Sequence, residues 1–157
     1  MYQNWRDLSF LHFSLDPGEL RQLVPEALTL DTFPDASGRE RAWVGLVLFW
    51  MTGIRYRGMP RVPGLHTFPE TNVRTYVHRD GKAPGVWFFS LDAANRIACN
   101  VASRTFGLPY RWARMTACRE GAECRYESAR LRGSGECKTS VSIGDQLPQP
   151  EVGSLDF

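Results

Sequence analysis

The sequence predicts an α+β fold built mostly of antiparallel β-strands, wound into a closed or nearly closed sheet. Three observations carry this. About eight runs of apolar, aromatic and β-branched residues follow one another, separated by short turn signals. Only two stretches open with a helix start signal. Two of the runs are apolar on both faces, as in a strand covered from both sides.

Each element has its own warrant. "LSFLHFSL" (Leu8 to Leu15) reads as an aromatic strand. Asp16 then caps a short helix over about 17–24, with Pro17 at its first position and Glu19 completing a capping box, and Pro25 stops it. "LTLDTF" (Leu28 to Phe33) alternates and reads as one strand. The strongest strand signal is "RAWVGLVLFWMTGIRYR" (Arg41 to Arg57), with Gly53 marking a bulge. A long loop, "GMPRVPGLHTFP", holds three Pro and two Gly. Loops of such length often carry function.

"ETNVRTYVH" (Glu70 to His78) alternates cleanly, turns at Asp80-Gly81, and is followed by "VWFFSL" (Val86 to Leu91). Asp92 is expected to cap the main helix, about 93–106, with an apolar stripe of Ala94, Ile97, Ala98, Val101 and Ala102. Gly107 ends it and Pro109 blocks continuation. Strands over Tyr110 to Cys118, Cys124 to Leu131 and Glu136 to Ile143 complete the sheet, before a polar, Pro-rich tail.

Bulk properties exclude several functions. The 157 residues are expected to form a single domain, 1–157. The net charge of +2, from 19 Lys plus Arg against 17 Asp plus Glu, argues against a nucleic-acid partner. The longest apolar run, Ala42 to Met51, is far short of a membrane span. The opening residues lack the pattern of a secretory signal, so the cytoplasm is the expected compartment, with reduced thiols. Cys118 and Cys124 are placed to face each other across a hairpin, but two ordinary small strand residues is the stronger reading. None of the four Cys pairs with C-x-x-C spacing, and the three His show no H-x-x-x-H. No metal site and no cofactor is expected. G-x-S-x-G and G-x-G-x-x-G are absent as well.

The chemistry-bearing feature is one face of Glu70 to His78. Alternation puts Glu70, Asn72, Arg74, Tyr76 and His78 on one side and Thr71, Val73, Thr75 and Val77 on the other. Alternation alone makes the polar side the solvated one. The competing reading turns it into a pocket, as an acid/base or binding set. His12 reads as a packed, hydrogen-bonded side chain, and His66 as a loop residue at a pocket mouth.

Four segments occur together and in order: "LVPEALTLDTF", "FPETNVRTYV", "WFFSLDAANRIA" and "FGLPYRWARM". They resemble the YqjF-like family, domain of unknown function 2071, along nearly the whole chain. That family is in turn similar to the acetoacetate decarboxylase superfamily. The resemblance implies a β-barrel or cone with a pocket inside and turns the Glu70 face inward. Val24-Pro25-Glu26 to Leu28 matches the superfamily's V-P-x-x-L, Glu70 its pocket Glu, and Gly107-Leu108-Pro109-Tyr110 its G-F-P-K. The Schiff-base Lys of that last motif is replaced here by Tyr110, followed by Arg111.

A Schiff base needs a primary amine. The chain has only Lys82 and Lys138, neither at that position. The decarboxylase route is therefore not expected. The implied function is a pocket for a small organic acid. Glu70 and Tyr110 are the catalytic candidates, with Asn72, Arg74, Tyr76 and Arg104 as ligand-binding candidates. Any reaction would be non-covalent acid/base chemistry on a small keto or carboxylic acid. The alternative is a non-enzymatic scaffold with Trp5, Trp43, Trp50, Trp87 and Trp112 in its core or interface. The resemblance also implies a chain that continues past "GSLDF", so strands that complete the barrel are expected to be missing, and a partner chain such as a second copy is a candidate to cover the exposed edge.

Overall fold

A computed structural model describes residues 2–35, 37–55 and 67–146. The chain forms β1 (Tyr2–Leu15), α1 (Pro17–Arg21), β2 (Thr29–Leu30), β3 (Thr32–Pro34), β4 (Glu40–Arg55), β5 (Thr67–Arg79), β6 (Lys82–Ala93), α2 (Arg96–Phe106), β7 (Tyr110–Glu120), β8 (Glu123–Arg130) and β9 (Glu136–Ser142). The strands lie in the order β1-β4-β5-β6-β7-β8-β9, with β2 on β5 and β3 on β4. All pairings are antiparallel except β6 with β7, which α2 connects as a parallel pair. A helical crossover is what a parallel pair requires.

The result is a mostly antiparallel half-barrel with two helices. Its ends meet through side chains. Asp7, at φ +48° in the β1 bulge, accepts the Tyr126 hydroxyl on its carbonyl and Arg119 on its carboxylate at 3.0 Å. A cleft of about 310 Å³ lies along this seam, lined by Phe10, Cys124, Val141 and Ile143 among others.

β4 and β5 form the middle of the sheet. On one face, Val47, Phe49, Met51 and Phe68 pack against Ala93 and Cys99. On the other, Leu48 packs against Cys124 and Tyr126 of β8. This two-sided burial is why β4 reads as apolar throughout. A third cluster, Leu20, Val24, Leu30, Ala42 and Val77, anchors α1 to the sheet.

Several expectations are corrected. The single strand Leu28 to Phe33 is two short strands. Thr29 and Leu30 pair with β5, and Thr32 to Pro34 pair with β4, because the chain crosses between neighbours at Asp31. The first helix ends at Arg21 rather than near 24, and the Asp16 carboxylate accepts from the Gly18 N–H. Asp92 does not cap the main helix. It ends β6 buried, while Asn95 caps α2 by accepting from the N–H groups of Ile97 and Ala98.

The helix therefore begins at Arg96 and its buried side is rotated. Cys99 is buried, whereas Ile97 and Val101 of the expected stripe are 58% and 44% exposed. Cys118 and Cys124 stand opposite Arg125 and Arg119 respectively, so they point to opposite faces, and all four thiols are free. The Pro-rich loop, His66 and the C-terminal tail lie outside the described residues. Among the described residues, no helix is long and apolar enough to cross a membrane.

Candidate functional site

Glu70 is buried, 2% exposed, and so is Asn72 on the same face of β5. A solvated polar face is thereby excluded at these two positions. The pairing explains why: β5 is flanked by β4 and β6 along its length, with Phe49 opposite Glu70 on one side and Ala93 on the other.

The route to the second group starts at the end of α2. Gly107 adopts the left-handed conformation at φ +66°, and its N–H caps the helix on the Ser103 carbonyl. Only glycine takes this geometry without penalty. The Pro109 carbonyl then accepts the Leu91 N–H at 3.2 Å, locking the turn onto β6. Tyr110 follows, in parallel register with Leu91, and its hydroxyl reaches across to Glu70. It donates to Oε2 at 3.2 Å, with Oε1 at 3.4 Å.

Burial dominates the electrostatics of this pair. Desolvation pushes the Glu70 carboxyl from 4.5 up to about 7, although hydrogen bonds from Tyr110 and Asn72 pull the other way. Burial, with the adjacent Glu70 charge, drives the Tyr110 phenol far above its ordinary range, so it remains a proton donor. Cys99 beside them is pushed to about 11, again first by burial and then by Glu70. Its thiol is protonated, resting on the carbonyls of Ala93 and Arg111, and is not a thiolate nucleophile. The Asn72 Oδ1 is buried with no partner among the described residues.

The other candidates on the same face lie apart. At roughly 3.3 Å per residue, Arg74 is about 13 Å along the strand from Glu70, and Tyr76 about 20 Å. They belong to a second cluster. Gly45 of β4 lies between His12 and Arg74 in register and leaves room above it. There the His12 Nε2 and the Tyr76 hydroxyl are 2.6 Å apart, and the Arg74 guanidinium sits 4.9 Å from the centre of the Phe10 ring. Burial and then Arg74 hold the His12 imidazole below its usual value. The sequence marks His12 as a packed, hydrogen-bonded side chain, but nothing in its strand names Tyr76 as the partner that β4 brings beside it. His78, at the end of the face, lies 3.5 Å from Asp31.

Arg104 is exposed in the last turn of α2. A cleft of about 210 Å³ is lined by Arg96, Asn100 and Ser103 of α2, Tyr110, Arg111 and Trp112 of β7, and Arg132. Nothing in the sequence groups these residues, because the β8–β9 turn meets β7 and α2 only after folding. Neither lysine approaches Glu70: Lys82 is exposed at the start of β6, and Lys138 is exposed and paired with Glu127 at 2.8 Å. Among the described residues, no cluster of His, Cys, Asp and Glu is arranged to hold a metal ion.

The mostly antiparallel half-barrel, with α2 as the crossover to its parallel pair, has an acetoacetate-decarboxylase-like fold. Solved structures agree. An acetoacetate decarboxylase from Legionella pneumophila superposes with a TM-score of 0.58 at 15% identity, over 78% of this chain and 42% of that one. A second acetoacetate decarboxylase structure gives 0.57 at 17%, over 80% and 44%. Identities this low bear on the fold alone.

The chain itself belongs to the family DUF2071, described as an uncharacterised conserved protein, whose pattern matches residues 2–157. The uncharacterised protein YqjF of Bacillus subtilis (strain 168) is 43% identical over 130 residues, which is 83% of this chain and 51% of YqjF. The chain thus spans about half the length of this curated relative.

Proposed function

We propose that the protein is a small-molecule pocket protein in which Glu70 and Tyr110 perform non-covalent acid/base chemistry on a small keto or carboxylic acid. One observation carries this: a carboxyl only 2% exposed, held by the Tyr110 hydroxyl at 3.2 Å, where burial pushes the carboxyl up to about 7. A group with that value exchanges a proton near neutral pH in either direction. Tyr110 then acts as a hydrogen-bond donor to developing negative charge. Both lysines are exposed and distant, which supports a route without an amine nucleophile. Asn72, with its free Oδ1, is the ligand contact nearest Glu70. Arg74 and Tyr76 line the same strand face further along and would contact only a longer ligand.

A second reading has its own observation. Tyr110 and Asn72 each hydrogen-bond to Glu70, as expected of an inert scaffold. The two separate in a thermal-shift screen of small keto and carboxylic acids against wild type and Glu70→Gln. The proposal expects at least one acid to stabilise wild type and to lose that effect, or its pH dependence, in the variant. Equal behaviour of the two proteins toward every acid would favour the scaffold.

A further inference from the structure

β1 is one of the two edges of the sheet, and among the described residues it pairs with β4 alone. A free edge invites another strand unless it is short, charged, broken by proline or covered. The opposite edge has such protection: β9 is seven residues long and carries Glu136 and the exposed Lys138. β1 runs for 14 residues without a lysine or a proline. The hydrogen bonds that close the half-barrel reach it at Asp7 and Ser9, beside its bulge. From Ser9 to Leu15 its register with β4 is unbroken.

Exposed apolar surface collects on the same strand. Tyr2, Trp5, Leu8, Phe10 and Phe13 are 39–53% exposed, five of the thirteen large apolar side chains exposed among the described residues. At roughly 200 Å² per large side chain they offer about 450 Å² per copy. Two copies bring about 900 Å² before any backbone is counted, against the roughly 1,000 Å² at which specific interfaces begin. Charge does not oppose their meeting. Between Leu8 and Leu15 the one titratable side chain is His12, which burial and then Arg74 hold below its usual value. Arg74, over the Phe10 ring, and Arg41, on the Ser14 carbonyl, alternate onto the face of Phe10, His12 and Ser14. The face of Leu11 and Phe13 is left uncharged.

We propose that β1 pairs antiparallel with β1 of a second copy of this chain, about a two-fold axis through His12, so that two half-barrels share one continuous sheet. An axis normal to the sheet keeps like faces together, so each residue meets one of its own parity. Centred on His12, this register sets Leu11 against the partner's Phe13 and Phe13 against the partner's Leu11, one apolar quartet over the axis. Phe10 meets Ser14 on the other face. Main-chain hydrogen bonds along the edge add to the attraction. An interface at this lower size limit is weak, so the dimer dissociates on dilution. The pairing does not rest on the chemistry of Glu70 and Tyr110.

The test is analytical ultracentrifugation of the full chain, loaded from about 1 to about 300 µM to span a weak dissociation constant. Wild type should pass from 17.8 kDa to twice that mass as concentration rises, and no further. Phe13→Glu should raise the dissociation constant at least about tenfold. Ile97→Glu, at an exposed apolar position on α2, should leave it unchanged. Hydrogen exchange on wild type reads the same contact without a substitution. Amides of residues 11–15 that face away from β4 should exchange at least about tenfold more slowly at the highest loading than at the lowest. A single 17.8 kDa species at every concentration overturns the inference. So does a mass that grows past the dimer, because β1 of one copy would then meet a different surface of the next. Equal weakening by both variants, or exchange in β1 that ignores concentration, puts the contact elsewhere and overturns it as well.

Discussion

Glu70→Gln should make the protein more stable at neutral and alkaline pH, by an amount that the burial sets. The carboxyl moves from 4.5 in the unfolded chain to about 7 in the fold. That displacement, at about 1.4 kcal/mol per pH unit, corresponds to about 3 kcal/mol. The sign follows from proton linkage. Between the two values the native state holds the proton that the unfolded state has released, so native stability falls as pH rises. The Glu70 contribution is complete below about pH 4.5 and is lost as pH climbs through about 7. Gln keeps the shape and accepts the Tyr110 hydroxyl, but does not titrate.

Urea unfolding of both proteins at half-unit steps from pH 4 to 8.5 gives the difference directly, with every other titrating group cancelling. The variant should gain about 3 kcal/mol on wild type across that range, with the change centred between pH 5 and 7. A flat difference curve would refute the burial argument. A wild type that gains on the variant with pH would show that Glu70 is held ionised instead.

Three further outcomes are expected. Tyr110→Phe removes a donor to the Glu70 carboxylate, so the Glu70 titration should move above about 7, read from the same pH-dependent unfolding. Arg130→Met leaves Asp92, 8% exposed, as a buried uncompensated charge, and should cost about 3–5 kcal/mol in urea unfolding. Most of this should return in Asp92→Asn/Arg130→Met. Gly45→Ala should change stability by less than about 1 kcal/mol, because the added methyl would meet Arg74, His12 and Tyr76 at ordinary contact distances of 3.6 Å. A larger loss would mean that the space above Gly45 is tighter than the geometry shows.

The strand runs, the Asp80-Gly81 hairpin and the Gly107 helix stop were legible because each depends on local backbone chemistry. Both residues of the Asp80-Gly81 turn have positive φ, as a two-residue hairpin requires. The start of α2 was misread for a related reason. Asp92 and Asn95 are equally good caps in isolation, and only the pairing of Asp92 with Arg130, distant in sequence, decides between them. Alternation along β5 gave the correct partition of side chains but not which face is buried. Family resemblance, not periodicity, pointed Glu70 inward. The same alternation grouped Arg74 and Tyr76 with Glu70, although strand rise places them in a separate cluster with His12. The cleft beside Tyr110 had no sequence signal, since it joins a helix, a strand and a turn that meet only after folding.

The most direct test of the account is the ionisation of Glu70 itself. Carbon-13 NMR of the Glu side-chain carboxyls, with Glu70→Gln to assign the signal, should give a titration near pH 7 for this residue. A titration near 4.5 would contradict the account, because Glu70 would then be ionised throughout the neutral range and unable to accept and return a proton there.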